Sequence, residues 1–569
     1  MGPTNNASAY VGRLGGLAVA LGIGTAILSG AGMAWAAPSD SGGSGSSASG
    51  SSSTGSSSAR SGSSTAKSAK ASPSVGSSPR ASSKITSRSK APEAATKAPE
   101  AAAVEPSPAR VTARVLAVVG LNPGGTGDTP ASPAVAAVSG LATSGRRETA
   151  SAARAAATIS SAAVVTAAPT TIPSYPVGWV TGQSNTAYPG IGWPQTNNTK
   201  GFGIWGTDLG IMWENGLTGN IQLAFGDTFG GPNMTGDWRS NVLLLSQDKN
   251  LTNGLSLLQT GYAYQFIPRN AGALSPFFGS EVTIIPTSAI SVLNQQYVSY
   301  MSVKSWDTPG RWTTNYAAIS TYDAATDKWV LMPSTIRSAS WFGSSRPYVP
   351  GNQNFQQSAY VLEPADQVAE GESQYLYAFG TPSGRAGSAY LSRVAVDDVS
   401  NLAKYQYWNG NDWVTGKPVA ATPIIGDSTR SAGLFGPIID WANNPKVLGG
   451  MLGGLFGAKT GGNVSEMSVQ YNDYLGKYVM MYGDGRNNIK LRYADEPNGQ
   501  WSAPVTVATA TTYPGLYAPM IHPWSGTGKL VDNNGNADVS TLYWNMSLWG
   551  NYNVVLMKTD LTSLKATLV

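Results

Sequence analysis

Val242-Leu243-Leu244-Leu245-Ser246-Gln247-Asp248 is a mostly apolar run closed by an aspartate, and the pattern returns four more times. The other copies are Ala318–Asp323 (AISTYD), Tyr390–Asp397 (YLSRVAVD), Lys490–Asp495 (KLRYAD) and Val555–Asp560 (VLMKTD). Three of them are followed by a turn and a tryptophan, at Trp329, Trp413 and Trp501. The closing aspartates lie 75, 74, 98 and 65 residues apart. The long gap holds a Gly-rich insert at 427–465, without which it shrinks to about 60 residues. Short β-branched and aromatic runs between Gly, Asn, Asp and Pro turns read as strands. Five copies of one strand type at similar spacing predict an all-β fold, a five-bladed β-propeller with four strands per blade. A β-sandwich does not need five copies, and a β-helix repeats at a much shorter period.

Working outward from this repeat, the aromatic residues mark where folding begins. Residues 37–172 contain no Phe, Tyr or Trp, whereas 16 of the 17 Trp lie beyond Tyr175. A segment without large apolar side chains cannot bury enough surface to offset its ordering entropy. The reading is a disordered Ser/Ala/Pro-rich linker over 37–172, with 15 Ser among residues 39–66, ahead of one folded unit over 173–569. Residues 1–36 read as a signal peptide. Arg13 gives the positive start, Leu14–Met33 the apolar stretch, and Ala34-Trp35-Ala36 the cleavage pattern. After cleavage no stable membrane span is expected, and the chain is placed as secreted or held in the cell envelope.

Composition removes several function classes. There is no Cys and a single His, which excludes a disulfide framework, a cysteine nucleophile and a His-rich metal site. The pI near 9 suggests nucleic acid, but its origin is local. Residues 1–172 carry a net charge of +8 and residues 173–569 a net charge of −3. The folded part is mildly acidic, so no nucleic-acid partner is expected of it. The basic segment could lie against anionic polymers or lipid headgroups.

The inner strands of propeller blades line a central funnel, so acidic residues in apolar, Gly-flanked strands are the catalytic candidates. Asp208 sits in GTDLGIMW (206–213) and Asp227 in LAFGDTFG (223–230). Glu466 opens the fourth blade after the insert, and Glu281 opens the second. Glycoside hydrolysis needs two such carboxyls, one kept protonated to help the leaving group and one ionised to activate water or attack. The opposing reading is that a lone Asp beside Gly is a turn residue. The five aspartates that close the repeated runs are read that way. Trp238 and other aromatics could stack on sugar rings or pack blades together. Arg239 could hold a sugar hydroxyl or pair with Asp227. His522 could line the funnel, ligate an ion or sit satisfied in the core. No cofactor is expected. A structural Ca²⁺ would need oxygen ligands, and no Ca²⁺ loop stands out.

The stretches GTDLGIMW, AFGDTFGG, GSEVTIIPTSAI, SEMSVQYNDYLGKYVMMYGD and APMIHPW together resemble the exported actinobacterial family catalogued as domain of unknown function 4185, associated with glycoside hydrolase family 183. The resemblance covers about residues 175–569. The leader, with AYVGRLGGLAVALGIG, is similar to those of exported mycobacterial proteins. The resemblance implies a five-bladed propeller. It also implies endo-acting cleavage, with inversion, of α-linked D-arabinofuranose chains in cell-wall arabinogalactan and lipoarabinomannan. Carried over by motif, the catalytic carboxyls fall on Asp208 and Asp227. Glu466, Glu281, Arg239, Trp238 and His522 would bind substrate, and Asp208 is read as the base. The 427–465 insert departs from the compact pattern and could cap the cleft beside Glu466. The rival readings are a non-catalytic arabinan-binding propeller and a structural envelope protein held by an uncleaved leader.

Overall fold

The computed structural model describes residues 168–568, except 183–191, 259–260, 270 and 309. The signal segment at 1–36 and the linker as far as residue 167 lie outside the described residues.

Five antiparallel sheets form the five blades. Their inner strands are Gly206–Glu214, Thr283–Val292, Gln357–Leu362, Met467–Asn472 and Leu516–Ile521, each packed beside the next around the axis. The second strands are Ile221–Gly231, Gln295–Thr308, Tyr375–Thr381, Lys477–Gly483 and Thr541–Leu548. Each of the five repeated runs supplies strand residues at the third position of its blade. Three of the closing aspartates, Asp248, Asp323 and Asp560, accept the amide two residues on, whereas Asp495 pairs with Lys477. Asp323 accepts from the Ala325 amide at 3.0 Å, and Asp560 from the Thr562 amide at 2.9 Å. The repeat is legible because the third strand must meet the same demand in every blade: an apolar run, then a sharp exit.

The ring is closed by the start of the folded chain. Ser174–Trp179 pairs with Asn553–Asp560 and completes the fifth blade. The contacts begin slightly earlier, since the Ile172 amide donates to the Thr506 carbonyl and the Thr506 amide to that of Thr170.

Side-chain alternation explains why the strands read as nearly continuous apolar runs. Within Lys477–Gly483, Val479 and Met481 join the core shared with blade five, whereas Tyr478, Met480 and Tyr482 join the core shared with blade three. Both faces are buried, so both parities must be apolar. Five apolar clusters result, one between each pair of neighbouring blades. Trp544 is fully buried in one of them. Truncating such a side chain costs about 3–5 kcal/mol.

The insert folds into two short helices, Gly436–Ala442 and Gly453–Phe456. None of its residues lines the pocket that holds Asp208, Asp227 and Glu466. The insert's support is the segment before blade three, where the Trp341 indole donates to the Met451 carbonyl at 2.8 Å and Gln353 to Asn443 at 2.8 Å.

Candidate active site

The strand pairing in blade one brings Asp208 and Asp227 together. Thr207 pairs with Thr228, but Leu209 pairs with Phe225, so Asp208 faces both Gly226 and Asp227 across a bulge. The next step is irregular as well, because Ile211 pairs with Ala224 and leaves Gly210 over. Bulges bend a strand and re-aim its side chains. Here Leu209 and Gly210 both take left-handed conformations, at φ 70° and 69°. For leucine that conformation costs about 1–3 kcal/mol, and it persists only when its surroundings enforce it. Blade five does so. Ser547 accepts the Leu209 amide at 2.8 Å, and the Asn545 amide group donates to the Gly210 carbonyl at 2.9 Å. Gly226 is required by proximity, because a Cβ there would overlap Asp208 Oδ1.

Both carboxyls line one pocket. Glu466, Tyr517, Trp306 and Trp312 share its wall. Asp208 is buried. Its Oδ2 accepts from the Tyr517 hydroxyl at 2.8 Å, and its Oδ1 has no hydrogen-bond partner. Burial, then the charge of Asp227, pushes the Asp208 carboxyl up to about 8, against the Tyr517 bond. Asp227 is half-buried, and its Oδ1 accepts from Thr283 Oγ1 at 2.6 Å and Trp238 Nε1 at 3.1 Å. Burial pushes Asp227 up to about 6, against those two bonds and the Arg269 cation. At neutral pH Asp208 is therefore protonated and Asp227 ionised, the reverse of the reading of Asp208 as base. The physical reason is desolvation. Asp208 sits deeper, has one donor and faces the charges of Asp227 and Glu466 as well as the Arg385 cation, whereas Asp227 has two donors and the Arg269 cation.

The remaining candidates separate. Glu466 is in the pocket wall and forms a bidentate pair with Arg385, at 2.8 and 3.2 Å. Burial works against the Arg385 cation, but Glu466 more than offsets it and holds the guanidinium above its ordinary value. Trp238 holds Asp227. Glu281 lies outside the pocket wall and accepts from Ser302 at 2.8 Å and Tyr316 at 3.1 Å. Arg239 does not reach the pocket and does not pair with Asp227. Trp238 pairs with Phe229 and shares the face of Asp227, so alternation sends Arg239 to the other face. There it pairs with Asp237 at 3.3 Å, donates to the Ala263 and Gly203 carbonyls and lies over the Tyr262 ring. His522 is not in the pocket either. It is fully buried beside Trp524, and burial lowers its pKa to about 3, so the imidazole stays neutral. Among the described residues no group of three or more His, Asp or Glu side chains is placed to hold a metal ion.

Four residues of the site carried no assignment from sequence: Tyr517, Thr283, Tyr552 and Arg385. Arg385 had a usable signal. It sits in Ser383-Gly384-Arg385-Ala386-Gly387, the same Gly-flanked setting that marked the acids. Tyr552 also lines the pocket, with a left-handed backbone at φ 46°. Burial and the nearby Asp208 and Asp227 hold its hydroxyl well above its ordinary pKa.

Comparison with known proteins gives a family match. The model for the domain of unknown function DUF4185 matches residues 194–434 and 455–558. An uncharacterized 35.9 kDa protein of Mycolicibacterium smegmatis is 24% identical over 319 residues, covering 56% of this chain and 78% of its own. Among solved structures, an α-L-arabinofuranosidase of Podospora anserina superimposes with a TM-score of 0.33 at 10% identity, covering 69% of this chain and 98% of that one. A Bacillus subtilis arabinanase gives a TM-score of 0.33 at 10% identity over 63% of this chain and 96% of that one.

Proposed function

This chain belongs to the DUF4185 family, and we propose that it is a secreted or envelope-held glycoside hydrolase cleaving within chains of α-linked D-arabinofuranose. The observation that carries the reading is the pair of carboxyls on one pocket, held at about 8 and about 6. Two carboxyls with separated pKa values support an acid and a base working together at neutral pH. Asp208 donates its proton to the glycosidic oxygen as the bond to the anomeric carbon breaks. Asp227 removes a proton from water as the water oxygen bonds to that carbon from the opposite face, inverting it. The products are a shortened chain and a new reducing end. Asp208 regains a proton from solvent and Asp227 releases one. No cofactor enters these steps. Trp306 offers an aromatic face for stacking in the pocket wall, and the Arg385–Glu466 pair offers fixed donors and acceptors for sugar hydroxyls. The choice of D-arabinofuranose in cell-wall arabinogalactan and lipoarabinomannan rests on the motifs shared with the family.

The test is incubation of the full chain with arabinogalactan, following released oligosaccharides and the anomer first formed by proton NMR. Oligosaccharides with inverted anomers are expected, with rates falling about 10²–10⁴-fold in Asp208→Asn and Asp227→Asn. Cleavage by Asp227→Asn at the parent rate would refute the assignment. Tight binding of arabinan without any product would instead identify a non-catalytic arabinan-binding propeller.

A further inference from the structure

The insert's two helices bury their smallest residues most deeply and leave large apolar ones at the surface. In water a helix buries its large apolar side chains and exposes polar ones. Here the buried positions are Gly436 and Ala442 in one helix and Gly453 and Gly454 in the other. Several large apolar residues of the insert are exposed, while Phe435, Ile439, Leu452 and Phe456 are partly buried. Leu434 is 83% exposed, Leu448 72%, Leu455 55% and Trp441 52%. Ile438 and Trp441, spaced i, i+3 on the first helix, share one side of it, and the exposed Leu434 lies in the turn just before. The close approach is built in, since a side chain on Gly453 or Gly454 would collide with Gln353, Tyr348 or Trp341. The apolar surface continues beyond the insert. Trp341 bonds the Met451 carbonyl, and its neighbour Phe342 packs on the exposed Phe278 with ring centroids 5.0 Å apart. The family match skips residues 435–454, so this surface is an addition to the common domain.

Scattered apolar residues on a surface are ordinary, but a contiguous patch of this kind marks a partner. Charge indicates which. Exposed Arg430 and Lys446 flank the patch, whereas the folded part as a whole is net negative. The insert carries Arg430, Lys446 and Lys459 against Asp427 and Asp440; Asp427 accepts the Thr429 amide at 2.9 Å and Asp440 the Ser431 amide at 3.0 Å. Trp and Leu side chains beside Lys and Arg match the interface of an anionic lipid layer. We propose that the 427–465 insert is a lipid-docking element that seats the propeller on an anionic lipid surface.

The experiment is co-sedimentation of the full chain with vesicles of phosphatidylcholine plus phosphatidylglycerol, and with phosphatidylcholine alone. The parent is expected to bind the anionic vesicles. Leu434→Ser, Trp441→Ser and Leu455→Ser combined should weaken binding at least about tenfold, with thermal unfolding unchanged because these side chains are exposed. Arg430→Gln with Lys446→Gln, which retains every apolar contact, should weaken binding to anionic vesicles about tenfold and leave neutral vesicles unaffected. A parent that stays in the supernatant overturns the proposal. So does a serine variant that binds like the parent, which would put attachment elsewhere in the chain. A parent that dimerises in sedimentation velocity while its serine variant is monomeric also overturns it, because a second copy would then cover the patch.

Discussion

Tyr517 donates its hydroxyl proton to Oδ2 of Asp208 at 2.8 Å, and both residues stand at irregularities in neighbouring inner strands. This bond favours the charged carboxylate, so it holds down a pKa that burial raises. Activity requires Asp227 ionised and Asp208 protonated. The profile of kcat/KM is expected to be a bell with limbs near pH 6 and pH 8, owned by the coupled pair. In Tyr517→Phe the donor is lost, Asp208 ionises later, and the alkaline limb moves up by about one pH unit. The acid limb stays in place. Initial rates of reducing-end release from pH 4 to 10 give both limbs. An alkaline limb that moves down would contradict the assignment of Asp208 as acid.

Thr283 acts on the other limb. Its hydroxyl donates to Asp227 at 2.6 Å, closer than the Trp238 indole at 3.1 Å. Removing it in Thr283→Val destabilises the ionised carboxyl, so the Asp227 pKa rises and the acid limb moves toward the alkaline one. The bell narrows from its acid side, and activity at pH 6 falls more than activity at pH 7.5. Trp238→Phe should do the same to a smaller extent. Equal losses at both pH values would show a general structural defect and no control of Asp227.

Gly226 leaves the space that the Asp208 carboxyl occupies. A methyl group there would overlap Asp208 Oδ1, so Gly226→Ala must displace the acid. Misplacement by about 1 Å costs about 10²-fold in rate. Overpacking adds about 1–3 kcal/mol of destabilisation. The check is kcat at saturating arabinan alongside urea unfolding. A variant that keeps its kcat would show that Asp208 is not held at this spot during turnover.

These residues also mark how far the sequence could be read. The blades were legible because third strands repeat an apolar run, which burial on both faces requires, and a closing aspartate, which holds the exit turn in three of the five blades. Asp208 and Asp227 were legible because a bulge needs glycine nearby, as in GTDLG and FGDTFG. Which one is acid was not legible. It depends on depth and donors, and Tyr517 comes from a strand about 300 residues away. Arg239 was misplaced because a one-residue step along a strand reverses its face, and the register of a short edge strand is invisible without its partner. The insert's composition was visible, but its outward-facing leucines were not, because the glycines that pack inward are usually read as turns.

The buried acid should also be visible in stability. Native Asp208 keeps its proton to about pH 8, whereas the unfolded chain loses it near the ordinary aspartate value of 3.8. Between these values the unfolded state holds fewer protons, so stability falls as pH rises, by about 1.4 kcal/mol per pH unit for one group. Asp227 adds a similar fall up to about pH 6. Asn at 208 cannot ionise, so Asp208→Asn loses the first contribution and keeps the second. Relative to the parent, the variant is expected to gain stability steadily from pH 4 to pH 8, by an amount on the order of several kcal/mol. Urea unfolding of both proteins at pH 4, 6 and 8 measures it. A parent–variant difference that does not change with pH would mean that Asp208 ionises as easily in the folded protein as in the unfolded chain, and it could not then serve as the acid.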